Sequence, residues 1–104
     1  MAAFYEMALG LTPIGASRTD AFVEFEAGGY RFALHAIPAE LAAQIDITSP
    51  PVPREANPVK LIFDVPHPAA EAARLESLGV TMIQRPWGTF DVVDPEGNIF
   101  GLAL

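Results

Sequence analysis

The chain has 104 residues, 51% hydrophobic and 18% charged, which suits one small folded domain with a single core. Six Lys and Arg against thirteen Asp and Glu give a net charge of -7, which argues against nucleic-acid phosphates and anionic membrane surfaces as partners. No cysteine is present, which excludes disulfides, zinc–thiolate sites, iron–sulfur clusters and cysteine nucleophiles together. The start, MAAFYEMALG, has no basic n-region, and no apolar run is long enough to cross a bilayer. The expectation is a cytoplasmic protein.

Residues 2–11 place Phe4, Met7, Ala8 and Leu11 on one helical face, ending beside Gly10. Residues 21–36, AFVEFEAGGYRFALHA, alternate about Gly28-Gly29 and predict a β-hairpin. On its second strand Tyr30, Phe32 and Leu34 take one face, and Arg31, Ala33 and His35 the other. Residues 39–44 predict a helical turn, and the Pro-rich SPPVPREANP after it reads as an extended connector.

VKLIFDV, residues 59–65, predicts a strand, with Leu61, Phe63 and Val65 opposite Lys60, Ile62 and Asp64. Residues 68–80 follow as a helix, opened by Pro68 and closed at Gly79, with Ala69, Ala72, Leu75 and Leu78 in its apolar stripe. TFDVVDPEGNIFGLAL, residues 89–104, predicts a second hairpin about its DPEGN turn. Helix, gap and hairpin thus occur twice. Leu9-Gly10-Leu11 matches Leu78-Gly79-Val80, and Phe22, Gly29, Phe32 and Leu34 match Phe90, Gly97, Phe100 and Leu102. The repeat divides the chain into module one (1–37), a connector (38–57) and module two (58–104), within a single domain. It also expects a strand before residue 2 as the counterpart of 59–65, and without one a strand edge in module one stays open to another chain.

FYEMALGL in the first helix and RPWGTFDVVDPEGN near the end, in this order, resemble the vicinal oxygen chelate superfamily (glyoxalase, bleomycin resistance protein and extradiol dioxygenase-like). The resemblance implies an α+β fold of two βαβββ modules forming a curved mixed sheet around a cleft, here with the first strand of module one missing. It also implies a divalent metal held by the first and last strands of both modules. The favoured last-strand carboxylate position falls on Gly101, with Ala33 as its counterpart in module one, and the first-strand position of module two falls on Lys60. A glycine, an alanine and an ammonium are not ligands for a hard cation. The expectation is therefore no metal and no other cofactor, with a divalent metal as the disfavoured alternative.

His35 is the remaining candidate, as a metal ligand with Glu24, as a hydrogen-bonding contact to a ligand, or as a structural histidine. Glu24, near mid-strand, is a candidate base if burial raises its pKa. Arg31 and Arg85 are candidates to neutralise an acidic ligand, or are merely solvated. Trp87 either walls a pocket or packs the core. Lys60, near Asp64, is either the polar end of a pocket or half of a surface ion pair. His67 is placed at the entrance of the second helix. The expected ligand-binding set is His35, Arg31, Lys60, Arg85 and Trp87, with His35 and Glu24 as the catalytic candidates. The favoured reading is a glyoxalase or bleomycin-resistance-like domain that binds a small organic molecule as a homodimer, without bond making. The alternatives are a metal-dependent lyase, isomerase or dioxygenase using His35, and a non-catalytic interaction module. None of these involves nucleic acid or a membrane.

Overall fold

The structure is a computed structural model that describes residues 1–15 and 18–103. Leu104, with which the second expected hairpin ends, lies outside the described residues. The chain divides into two compact units, Met1–Asp46 and Ile47–Leu104.

Unit one opens with α1, Ala2–Leu9, which stops at Gly10, whose N–H donates to the carbonyl of Glu6. Its buried residues are Tyr5 and Ala8, whereas Met7 is 41% exposed. The inward stripe is therefore rotated from the one expected. Tyr5 sets it, because its ring meets Phe4 edge-on at 5.3 Å and Phe32 at 5.2 Å. Three antiparallel strands follow in the order β1 (Thr12–Pro13), β2 (Phe22–Ala27) and β3 (Tyr30–His35). Between β2 and β3, Gly28 and Gly29 take φ of 59° and 88°, the left-handed pair that a two-residue hairpin turn requires. The register runs from Ala27↔Tyr30 to Phe22↔His35. It sets Val23, Phe25, Phe32 and Leu34 on one face, where the Phe25 and Phe32 rings stack at 6.1 Å. Phe25 is fully buried. Among the described residues no strand lies on the other side of β3. A short exposed helix, α2 (Ala39–Ala42), closes the unit.

Unit two contains β4 (Leu61–Asp64), α3 (Pro68–Ser77), β5 (Met82–Gln84), β6 (Phe90–Val93) and β7 (Ile99–Ala103), which is a βαβββ order. The sheet order is β4-β7-β6-β5, with β4 parallel to β7 and the other pairs antiparallel. α3 packs on β6 and β7 and buries Ala72 and Leu75. Ala69 and Leu78, expected in the same stripe, are exposed, and Leu78 lies beyond the helix, which ends at Ser77. Leu102, Phe100 and Val92 complete the apolar face. His67 is the N-cap residue, but its side chain forms no cap hydrogen bond; its carbonyl accepts from the Glu71 N–H instead.

β1 and β5 are the strands that alternation alone misses, falling in the gaps between helix and hairpin. Two or three residues are too few to show a period. Residues 47–57 behave differently from an extended connector. The Arg54 N–H donates to the Gly97 carbonyl at 2.9 Å, and its guanidinium donates to Asn98 Oδ1. Residues 52–54 thus lie against the 94–98 turn, and the segment belongs with unit two. Gly97 has φ 87°, and a Cβ there would come within 2.5 Å of the Val52 carbonyl oxygen, so only glycine fits.

Candidate functional site

The register of unit two aligns Ile62, Gly101, Asp91 and Ile83 across four strands on the face opposite Phe100 and Val92. Asp91 is fully buried there. Lys60 Nζ donates to both of its carboxylate oxygens at 3.1 Å, and Arg85 Nε donates to Oδ2 at 2.9 Å. A buried carboxylate needs such cations, since its desolvation is otherwise uncompensated. Gly101 makes the arrangement possible: a Cβ at that position would sit 3.3 Å from Asp91 Oδ1 and 3.5 Å from Ile62. A larger side chain would compete with the ion pair for that space.

The outer edge of Arg85 is also engaged. Its two terminal nitrogens donate to Glu55 Oε1 at 3.0 Å and Oε2 at 3.2 Å, a bidentate pair. The hydrogen bonds of Glu55 first, and of Asp91 second, hold the guanidinium pKa above its ordinary value against the opposing effect of desolvation. Trp87 is 67% exposed, with the Arg85 guanidinium carbon 5.7 Å from its ring centre. A turn places the two together, the Gly88 N–H donating to the Arg85 carbonyl at 3.0 Å.

Three of the five expected binding residues, Lys60, Arg85 and Trp87, thus belong to unit two. Lys60 pairs with Asp91 rather than with Asp64. In unit one, Glu24, Arg31 and His35 share the exposed face of the β2–β3 hairpin. Glu24 is paired across the strands with Ala33, and its carboxylate lies 3.5 Å from Arg31. His35 is exposed and meets the Phe22 ring edge-on at 5.6 Å. Asp91 and Glu55 are the members of the cluster that sequence reasoning missed. For Asp91 a signal existed, since a hairpin centred on the 94–98 turn sets residue 91 opposite residue 101.

Asp94 is buried without belonging to this cluster. Its Oδ1 accepts from the Glu96 and Asn98 N–H groups at 2.8 and 3.0 Å, and its Oδ2 accepts from the Asn98 amide at 2.8 Å. The DPEGN segment is thereby a self-bonded turn, structural in purpose.

A model described as a glyoxalase-like domain matches residues 1–103. The chain belongs to the glyoxalase-like domain family. No curated protein matches its sequence. Solved structures share the fold of this glyoxalase-like chain at low identity. A possible glyoxalase from Bacillus cereus is 19% identical with a TM-score of 0.69, over 99% of this chain and 85% of that one. A glyoxalase/bleomycin resistance protein/dioxygenase family enzyme from Burkholderia phytofirmans PsJN is 22% identical with a TM-score of 0.66, over 98% and 85%. The bleomycin-binding protein of Streptomyces verticillus, solved with copper(II)-bleomycin, is 16% identical with a TM-score of 0.60, over 98% and 82%.

The superfamily resemblance sets expected metal-ligand positions of module two on Lys60 and Gly101. Lys60 brings a positive charge already committed to Asp91, and Gly101 brings no donor. Among the described residues, no three His, Asp or Glu side chains are grouped to hold a metal ion.

Proposed function

We propose that this glyoxalase-like domain binds a small organic molecule without making or breaking bonds and without a resident metal. The observation that carries the reading is the position of Lys60: the charged group on the family's metal-ligand position neutralises a buried carboxylate beside Gly101. The fold likeness to a bleomycin-binding protein solved with copper(II)-bleomycin supports a binding reading. Exposed Trp87 provides apolar surface beside fixed charges, the combination that small-molecule sites use for affinity and orientation. The proposed working form is a homodimer, because among the described residues no strand pairs with the outer side of β3, whereas its counterpart β7 is flanked by β4.

Native mass spectrometry of the purified protein tests these points together. A dimer mass carrying a substoichiometric or exchangeable organic adduct, with no divalent metal, is the expected result. One tightly bound metal per chain, lost in His35→Ala, would overturn the reading in favour of a metal-dependent lyase, isomerase or dioxygenase.

A further inference from the structure

The Asp91 cluster holds two cations, Lys60 and Arg85, and two anions, Asp91 and Glu55. The members differ in their attachment. Asp91 is fully buried and Arg85 is 16% exposed, whereas Glu55 is 57% exposed. Glu55 reaches Arg85 from the segment that Arg54 pins to the 94–98 turn, thirty residues away in sequence. Without Glu55 the cluster carries one net positive charge, and both terminal nitrogens of Arg85 point outward as a preformed fork. That fork has the geometry of a carboxylate, the species Glu55 now supplies. Glu55 is the exposed member of this pair, so a carboxylate arriving from solvent can compete for the same fork on equal geometric terms.

We propose that the outer edge of Arg85 is a binding site for a small organic acid, and that Glu55, which pairs with it, competes for the same edge. The acid's apolar body lies against Trp87, which the Arg85–Gly88 turn fixes beside the guanidinium. The inference rests on the small-molecule reading above and names its chemical class: a monocarboxylate with an apolar or aromatic body. Asp91 positions Arg85 through Nε and does not touch the ligand. Glu55 acts as a tethered competitor, so removing it strengthens binding without adding a contact.

Trp87 is the only tryptophan, and its fluorescence reports binding directly. Phenylacetate, phenylacetamide and acetate are titrated into the parent chain, Glu55→Ala and Arg85→Lys, with circular dichroism confirming the fold of each. Glu55→Ala is expected to bind phenylacetate about two- to fivefold more tightly than the parent, with no change for phenylacetamide. Phenylacetate should bind more tightly than acetate in both. Arg85→Lys keeps a cation for Asp91 but loses the fork, and should lose the preference for acid over amide. Equal tightening for acid and amide, or none for either, overturns the proposal. A neutral or cationic molecule retained in the native mass spectrum and indifferent to Glu55→Ala would overturn it alone, leaving the wider small-molecule reading intact.

Discussion

Asp91 is the residue on which unit two's polar face depends. A fully buried carboxylate is stable in a strand only while its cations are present, and it has two, at 3.1 and 2.9 Å. Asp91→Ala leaves Lys60 and Arg85 facing one another over a vacated site. The expected cost is about 2–4 kcal/mol in urea denaturation. Lys60→Met should cost less, about 1 kcal/mol, since Lys60 is 38% exposed and Arg85 remains on the carboxylate. In the double variant the two losses should not add, because Lys60 has nothing to neutralise once Asp91 is gone. Additive losses would mean that the pair contributes no coupling. The Arg85 pKa is raised, so its folded-state contribution is complete below the ordinary guanidinium range and fades only above it. These pairings were only partly legible in the sequence. The face shared by Lys60 and Ile62 follows from alternation, whereas the burial of Asp91 depends on strands contributed by three other segments.

Among the elements, the 94–98 turn does more than reverse the chain. It bonds to itself through Asp94 and receives residues 52–54 through Gly97 and Asn98. Gly97→Ala should therefore cost at least about 2 kcal/mol, from a left-handed φ and from the Cβ meeting the Val52 carbonyl. Gly88→Ala isolates the first effect. It has a φ of 84° and nothing within 4 Å, and should cost only about 1 kcal/mol. Equal losses in the two variants, measured by thermal and urea denaturation, would show that the segment moves away freely. The turn itself was readable from DPEGN, and the Gly28-Gly29 hairpin likewise, because each rests on residue types that tolerate particular dihedrals. The docking of 52–57 was not readable, since a Pro-rich stretch carries no period pointing to its partner. The α1 face was misjudged for a related reason: helical spacing allows several stripes in AAFYEMAL, and Phe32 selects the one containing Tyr5.

At the scale of the whole molecule, the repeat makes a prediction about assembly. In unit two, β4 flanks β7 in parallel, with Ile62 opposite Gly101. The equivalent side of β3 has no strand among the described residues. The Ala36 N–H bonds to the Ala21 carbonyl across the β2–β3 ladder. By alternation Leu34 and Phe32 also donate inward, and Ala33 donates outward. Ala33→Pro thus removes an outward donor and spares the β2–β3 pairing. Light scattering after size exclusion should give a dimer for the parent chain and a dimer dissociation constant raised at least about tenfold for Ala33→Pro, a loss on the order of one hydrogen bond with its local packing. An unchanged dimer would place the interface elsewhere than on β3.

The helices, the two hairpins, their repetition and the family were legible in the order of residues, because they follow from local periodicity and from turn residues with few permitted dihedrals. The resemblance also set Lys60 and Gly101 on expected metal-ligand positions of module two. What surrounds these two residues came from the packing of the strands. The Lys60–Asp91–Arg85–Glu55 cluster joins β6, the residue after β5 and the segment that leads into β4. Burial and ion pairing are properties of a residue's neighbours, and these neighbours lie 6 to 31 positions apart in the chain.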